Sequence, residues 1–361
     1  MSTPLTSGLT QLASYSTRAA KAATMLSKIR DEDVEVATTP REVVARIGGR
    51  TLYRIAVDAP KRVKTPVLVV YAMVGHWTIL DLQPDRSFLR NLVEAGCEVY
   101  VLDWGHPTAA DQFDDFSDLV DIYMDGFVDV ICDRHEIPSV NLLGVCQGGV
   151  LSLIYASLYP EKIRNLTTCV TPVDFHADKE HDRVDHGFMN VWIRNISPEE
   201  VDLMIDSFGN ISGEVGGAFF SMMTPFRSLS KYCLTLVDVG QDKEKLLNFL
   251  RMEKWLADRP DHTAASARQW LKDLYQGNKM INGELEVGGR RVDLKNITMP
   301  VLNLYTETDH IIPPPASVVL GEKVGSKDYT QDVVSGGHIG VFVSRDGGKL
   351  CGKIVDWLEK R

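Results

Sequence analysis

The segment NLLGVCQGGVLSL, residues 141–153, carries a cysteine inside a Gly-x-Cys-x-Gly turn. The apolar run before the turn predicts a buried strand, and the apolar residues after it predict a helix. A sharp strand-to-helix turn of this kind exposes a nucleophile and needs small neighbours, because its backbone is crowded. Gly144, Gly148 and Gly149 supply them around Cys146, and the helix start favours a thiolate. The turn therefore predicts a nucleophilic Cys146; the alternative is a buried structural cysteine.

Strands and helices alternate along most of the chain. Short apolar runs typical of buried parallel strands are separated by helix-like segments. These runs are PVLVVYAMV (66–74), CEVYVLDWG (97–105), VNLLGV (140–145), NLTTCVTPVDF (165–175), MPVLNLYTETDH (299–310) and YTQDVVSGGHIG (329–340). We therefore predict an α/β fold with a mostly parallel, doubly wound sheet.

The alternation is interrupted once, by a stretch that reads as helices only. SPEEVDLMIDSF, for example, has Ser197 as a helix N-cap and Pro198 at the first helical position. The predicted organisation is an N-terminal helical segment (1–35), the first part of the core (36–175), a helical cap or lid insertion (176–280) and the second part of the core (281–361).

Candidate partners for the thiol follow two late strands. Asp309 lies in TETDHIIPPP and His338 in SGGHIGV, the order in which this type of site places its acid and its histidine. The alternatives are a turn aspartate and a surface-loop histidine. His310 is a rival base, and we assign it a supporting role because a histidine after the last strand has the usual geometry.

An oxyanion hole needs two backbone donors, one after the nucleophile and one in a loop after an early strand. Gln147 and Val74 are the candidates. The other histidines show no metal-ligand spacing, so we predict neither a metal nor a cofactor.

Composition excludes some partners and environments. The chain has 39 basic and 49 acidic residues, a net charge of −10, with no basic block suited to a phosphate backbone, so we expect no nucleic-acid partner. Its six cysteines contain no Cys-x-x-Cys pair, which fits a reducing cytoplasm. The sequence shows no signal-peptide core and no stretch of about 20 apolar residues, so we expect no membrane span.

Several longer segments resemble the catalytic subunit of class III polyhydroxyalkanoate synthases, from about residue 40 to the end. They are YAMVGHWTILDLQPDRSFLRNLVEAGCEVYVLDWGHP, GVCQGG, TPVDFHADK, LLNFLRMEKWLADRP, GGRRVDLKNITMPVLNLY and TDHIIPPP. The sequence departs from the family pattern at Gly75-His76-Trp77, which affects the predicted oxyanion loop.

The resemblance implies an α/β-hydrolase core with a mobile cap, a homodimer, and a second, non-catalytic subunit of the PhaE type. It implies that (R)-3-hydroxyacyl-coenzyme A, chiefly 3-hydroxybutyryl, is polymerised to polyester at the surface of cytoplasmic granules, with coenzyme A as a product. Cys146 would carry the growing acyl chain, His338 would deprotonate the thiol and later the incoming 3-hydroxyl, and Asp309 would orient His338.

A cysteine suits acyl transfer better than serine does. Attack on a thioester gives an enzyme thioester of similar energy, so the acyl group stays activated for an alcohol. The alternative is a thioesterase or polyester depolymerase that uses the same cysteine. VGGAFFSMMTPF (215–226), with Phe219, Phe220, Met222 and Met223, is interpreted as an apolar lid that excludes water, or else as ordinary helix packing.

Overall fold

The computed structural model describes residues 4–177, 188–223, 226, 230–344 and 347–361. Its strands are β1 (Arg41–Ile47), β2 (Arg50–Ile55), β3 (Val67–Val70), β4 (Asp81–Gln83), β5 (Arg86–Ser87), β6 (Val99–Asp103), β7 (Val140–Val145), β8 (Ile163–Cys169), β9 (Glu286–Val287), β10 (Arg290–Arg291), β11 (Val301–Thr306) and β12 (Tyr329–Val334).

The α-helices are α1 (Pro4–Leu26), α2 (Phe88–Ala95), α3 (Asp125–His135), α4 (Gln147–Leu158), α5 (Phe188–Asn195), α6 (Pro198–Phe208), α7 (Gly213–Met223), α8 (Leu236–Val239), α9 (Lys243–Ala257), α10 (Ala264–Arg268), α11 (Lys279–Asn282), α12 (Pro314–Val318), α13 (Leu320–Lys323), α14 (Gly340–Val343) and α15 (Gly347–Leu358). π-helical turns cover Asp118–Met124, Lys231–Thr235 and Gln269–Gln276. Among the described residues, every helix is too short or too polar to cross a membrane.

Within the described part of the chain, eight strands form one sheet in the order β1-β2-β6-β3-β7-β8-β11-β12. The pairs from β6 to β12 are parallel, as predicted. The hairpin of β1 and β2 is antiparallel and was not predicted. Its strand β1 has charged residues at three of its seven positions and little burial, so it lacks the apolar run that marks the inner strands.

The inner strands are apolar on both faces because helices cover both sides of the sheet. In β3, Leu68 and Val70 pack into one hydrophobic cluster, while Val67 and Val69 pack into the other. This alternation is the period of two that a strand imposes on its side chains. The predicted strand 66–74 ends earlier than expected, at Val70, so the following residues form a loop above the sheet.

The helices from α5 to α11 lie between β8 and β9, and we call them the cap. Capping residues define several of their starts: the Ser197 side chain accepts a hydrogen bond from the Glu200 backbone N–H. The N-terminal helix α1 contacts the cap, because Tyr15 donates to the Cys233 carbonyl at 2.6 Å and Arg18 pairs with Asp238 at 2.9 Å. The cap faces the carboxyl ends of the parallel strands, where ligands bind in open α/β sheets.

Candidate active site

Cys146 is the single residue between β7 and α4, and its backbone conformation is one that few residues other than glycine adopt. Its φ is 54° and its ψ is −121°. A positive φ is strained for a non-glycine residue and persists only where the surroundings enforce it. Here the Cys146 N–H donates to the Cys169 carbonyl at 3.0 Å, and its own carbonyl accepts from the Gly149 N–H at 2.9 Å. This is the geometry of a nucleophile elbow.

The glycines around Cys146 are required by close packing. A Cβ at Gly148 would lie 2.1 Å from the Val70 carbonyl oxygen, and one at Gly149 would lie 1.9 Å from Thr171 Oγ1. A Cβ at Gly144 would lie 2.5 Å from the Gly149 Cα. A larger side chain at Gly148 would press the start of α4 away from β3, one at Gly144 would press it away from β7, and one at Gly149 would collide with Thr171 after β8.

Asp309 and His338 are brought together although 29 residues separate them. Asp309 Oδ1 accepts the backbone N–H groups of Ile311 and Ile312, each at 2.9 Å. Its second oxygen, Oδ2, lies 2.8 Å from His338 Nδ1. Because an ionised carboxylate can only accept, Nδ1 is the donor in this bond. Nε2 of His338 is therefore the ring nitrogen available to the sulfur.

His338 and Cys146 line the same cavity and lie within hydrogen-bonding reach of each other. Burial by itself would lower the pKa of His338, but the charge of the Cys146 sulfur and the hydrogen bonds with Asp309 and Cys146 raise the pKa to about 10. The imidazole thus holds a proton beside the sulfur, where it can serve as an acid in a reaction at Cys146.

His310 is exposed and also lines the cavity. Among the described residues, His338 and not His310 bonds the Asp309 carboxylate. A base role for His338 and a supporting role for His310 stay predictions, as does the catalytic role of Cys146.

The side chain of Gln147 has a role that the sequence did not reveal. Its Oε1 accepts the backbone N–H groups of Met73 and Val74, each at 3.1 Å. The Val74 N–H, a predicted oxyanion donor, therefore already has a partner in this state. The Gln147 N–H lies at the first position of α4, where a helix has no earlier carbonyl to bond. An N–H at the start of a helix is suited to an anion, and the pairing of Val74 with Gln147 as an oxyanion hole stays a prediction.

A cavity of about 180 Å³ lies above Cys146. Its walls come from the loop after β3, the loops after β11 and β12, and the cap. The lining residues are Tyr71, Ala72, Val74, Gly75, Cys146, Phe220, Trp255, Leu256, Arg259, His310, Ile311, His338 and Ile339. Of the predicted lid residues, Phe220 lines this cavity, Phe219 contacts Trp192, and Met222 is exposed. The side chain of Met223 lies outside the described residues.

Arg259 brings a positive charge into this mostly apolar cavity. Its Nε donates to the Leu256 carbonyl at 2.9 Å, and its guanidinium carbon lies 5.4 Å from the centre of the Phe220 ring. Burial lowers the pKa of Arg259, and among the described residues no carboxylate pairs with it. Its remaining N–H groups can therefore serve an oxygen-rich ligand.

The loop Gly75-His76-Trp77, where the sequence departs from the family pattern, is covered by the cap. The Trp255 indole N–H donates to the His76 carbonyl at 2.7 Å. A Cβ at Gly75 would lie 2.8 Å from the Trp255 ring, so the glycine allows this contact. The His76 side chain lies with those of His106 and Asp258, and these three could hold a metal ion. Sequence spacing missed this cluster because its members come from three distant segments.

Comparisons with known proteins give a consistent result. A family described as the alpha/beta hydrolase fold matches residues 65–344. The poly(3-hydroxyalkanoate) polymerase subunit PhaC of Thiocystis violacea is 40% identical over 341 residues, 93% of each chain. The proteins of the same name from Allochromatium vinosum and Synechocystis sp. are 39% and 41% identical over 93% of this chain and 93% and 88% of theirs.

Solved structures agree on the fold. Epoxide hydrolase A from Mycobacterium thermoresistibile aligns with a TM-score of 0.52 at 16% identity, covering 89% of this chain and 98% of its own. A thermophilic esterase from Thermogutta terrifontis aligns with a TM-score of 0.51 at 15% identity, with the same coverage of 89% and 98%. At such low identity these structures support the fold alone.

Proposed function

The chain belongs to the PhaC family of poly(3-hydroxyalkanoate) polymerases, which are acyltransferases with an α/β-hydrolase fold, and from this premise we propose that it polymerises (R)-3-hydroxyacyl-coenzyme A through a thioester on Cys146. The observation that carries the proposal is the Asp309–His338 pair beside a cysteine in a strained elbow.

In the acylation step, Cys146 Sγ attacks the thioester carbonyl carbon of the substrate. The new carbon–sulfur bond forms as the bond to the coenzyme A sulfur breaks, and the proton held by His338 passes to the departing thiolate. Asp309 accepts a hydrogen bond from Nδ1 of the imidazole, so that Nε2 faces the reacting atoms. The Gln147 N–H, at the positive end of α4, stabilises the carbonyl oxygen as it gains charge.

In the elongation step, His338 takes the proton of the 3-hydroxyl group of an acyl unit. The hydroxyl oxygen of the incoming unit attacks the carbonyl carbon of the thioester on Cys146, and the new oxygen ester forms as the bond to Cys146 Sγ breaks, which leaves the lengthened chain on coenzyme A and the proton on His338 beside the freed sulfur. The chain then returns to Cys146 by the acylation step, which releases coenzyme A. Because a thioester is more activated than an oxygen ester, the transfer to the hydroxyl is favourable. The enzyme needs no metal or separate cofactor for either step, since coenzyme A belongs to the substrate.

The cavity supports a preference for short acyl groups. Its volume of about 180 Å³ lies below the roughly 300–1,000 Å³ of pockets that enclose drug-sized ligands. It suits an acyl unit such as 3-hydroxybutyryl, while most of coenzyme A stays outside. Phe220, Trp255 and Leu256 form apolar walls that limit water near the thioester. We assign Arg259 to the oxygen atoms of the bound acyl groups.

We also propose a homodimer and an association with a second, non-catalytic subunit of the PhaE type, at the surface of polyester granules. Exposed apolar side chains on the cap and α1 support an association surface. They are Leu9, Leu12, Leu203, Phe208, Met222, Phe226, Tyr232 and Leu234.

The experiment uses purified protein with (R)-3-hydroxybutyryl-coenzyme A and measures both thiol release and the fate of the acyl groups. The proposal predicts insoluble polyester in proportion to the released thiol, and neither product with Cys146→Ala. The (S) isomer should give no polymer. Free 3-hydroxybutyrate in proportion to the released thiol, without polyester, would establish a hydrolase instead.

The proposed second subunit is tested in the same assay. Addition of a PhaE-type protein should increase the rate of polymer formation. An unchanged rate would leave the polymerase chemistry standing and refute the class III assignment.

A further inference from the structure

Two imidazoles and a carboxylate meet where the cap touches the core beside the cavity. His76 lies in the loop after β3, His106 follows β6, and Asp258 is the residue after α9. One ligand atom from each lies within 4.8 Å of the other two. His106 Nε2 is 3.2 Å from Asp258 Oδ1, and His76 Nδ1 is 3.7 Å from Asp258 Oδ2. The two imidazole rings stack, with their centres 5.5 Å apart.

The two ring nitrogens of His76 lie beside two different carboxylates, those of Asp103 and Asp258. Its Nε2 lies 3.3 Å from Asp103 Oδ1, so Nε2 carries the hydrogen in this contact. Nδ1 is the ring nitrogen on the side of Asp258, and it also lies 3.2 Å from Thr78 Oγ1, whose hydroxyl can donate to it.

The contact between Asp103 and His76 is also the arrangement found behind metal-binding histidines. Such a histidine almost always donates its second ring N–H to a carboxylate or carbonyl, which fixes the ring and makes the free nitrogen more basic. Asp103 is itself held, because its Oδ1 accepts the Gly105 N–H at 2.9 Å. The orienting carboxylate is therefore in place independently of the three candidate ligands.

We propose that His76, His106 and Asp258 form a binding site for a divalent transition metal ion, with Zn²⁺ as the best match. Two imidazole nitrogens and one carboxylate oxygen are ligands that Zn²⁺ accepts, with a water as the fourth. Bonds of about 2.0–2.2 Å place tetrahedral ligand atoms roughly 3.3 Å apart, so the cluster needs to contract by at most about 1.5 Å. His106 and Asp258 have 55% and 42% of their side chains exposed, which leaves them free to move and the site open to solvent.

The position of the site gives the metal a structural consequence. Asp258 belongs to the cap and precedes Arg259, while His76 and His106 belong to the core and His76 follows Gly75. A metal held by all three joins the cap to the core at the cavity wall. This proposal replaces the sequence-based expectation of no metal, and it rests on the cluster geometry alone, whatever reaction Cys146 performs.

The test is a calorimetric titration of the metal-free full chain with ZnSO₄. It is made in the Cys146→Ala background, so that the thiol of the cavity cannot compete for the metal. We expect one Zn²⁺ per chain, and at least tenfold weaker binding in His106→Ala and in Asp258→Asn. Asp58→Asn is the matched control, because Asp58 is an exposed carboxylate outside the cluster, and it should bind as the parent does.

A second readout separates ligand loss from misfolding. In EDTA, the variants should unfold within a few degrees of the parent, because they lose only contacts made by the exposed side chains of His106 and Asp258, and added Zn²⁺ should raise the unfolding temperature only in the parent and in Asp58→Asn. Co²⁺ in place of Zn²⁺ should give the visible absorption of a four-coordinate ion without a thiolate charge-transfer band. No Zn²⁺ binding, binding unchanged in both ligand variants, or a thiolate band would each overturn the proposal.

Discussion

The packing around the elbow makes a quantitative prediction for Gly148→Ala. The added Cβ would lie 2.1 Å from the Val70 carbonyl oxygen and 2.6 Å from that of Tyr71. Ordinary contact begins at 3.4 Å, so the first gap must open by about 1.3 Å, from 2.1 to 3.4 Å. The obstacle is backbone, so a change of side-chain rotamer cannot relieve it.

The strand cannot supply this movement. Val70 pairs with Leu102 on one side and Gly144 on the other, and the Tyr71 carbonyl accepts the Trp104 indole N–H at 3.1 Å. The start of α4 must therefore shift, and it carries Cys146. Overpacking of a dense core costs about 1–3 kcal/mol and at times more, and we expect the upper end. A displacement of about 1 Å at a reacting group costs roughly 100-fold in rate.

Urea unfolding and thiol release from 3-hydroxybutyryl-coenzyme A measure the two effects separately. Gly352→Ala in α15 is the matched control, since nothing lies within 4 Å of its added Cβ. It should raise stability by about 0.5–1 kcal/mol, because alanine favours a helix interior, and leave thiol release unchanged. If Gly148→Ala stayed within about 0.5 kcal/mol of the wild type, the ordinary range for surface substitutions, and kept its rate, the account of the elbow would be wrong.

Further predictions concern the groups around the sulfur. His338→Gln should stop thiol release while His310→Gln reduces it less; the reverse order would make His310 the base. Asp309→Asn should slow elongation more than the first acylation, because an alcohol has a much higher pKa than a thiol; equal losses in single-turnover and steady-state rates would contradict this. Gln147→Ala leaves the Met73 and Val74 N–H groups without their acceptor, which should cost about 1–3 kcal/mol in urea unfolding, and an unchanged stability would remove this role. Folding raises the pKa of His338, so the wild type should exceed His338→Gln in free energy of unfolding by the largest amount below about pH 6.5, the unperturbed pKa of histidine. This difference should shrink as the pH rises towards 10. A difference that does not change with pH would contradict the raised pKa.

Local signals in the sequence were sufficient to predict the inner strands of the sheet and the residues that follow them. The strand predicted at 140–145 has the bounds Val140–Val145 in the structure, because its apolar run and the following glycines admit few alternatives. Gly96 ends α2 with φ of 118°, a conformation that suits glycine. The order of Asp309 and His338 along the chain predicted that the two side chains pair, and Asp309 Oδ2 lies 2.8 Å from His338 Nδ1 in the structure.

Contacts between distant segments could not be predicted in the same way. In the antiparallel hairpin of β1 and β2, charged residues interrupt both apolar runs, at Arg41, Glu42 and Arg46 in β1 and at Arg50 and Arg54 in β2, so its strand signal is weak. The bonds from Gln147 to the loop after β3 depend on how two strand ends meet, which spacing does not encode. The cluster of His76, His106 and Asp258 likewise exists only because the cap folds over the sheet.

The role of Cys146 is tested most simply by locating the acyl group transferred from butyryl-coenzyme A, a substrate that lacks the 3-hydroxyl and so cannot elongate. Mass spectrometry of the intact protein, followed by peptide mapping, should find one butyryl group on Cys146 and none in the Cys146→Ala variant. An adduct on another side chain, or one that persists in Cys146→Ala, would contradict the central claim that this thiol carries the acyl chain.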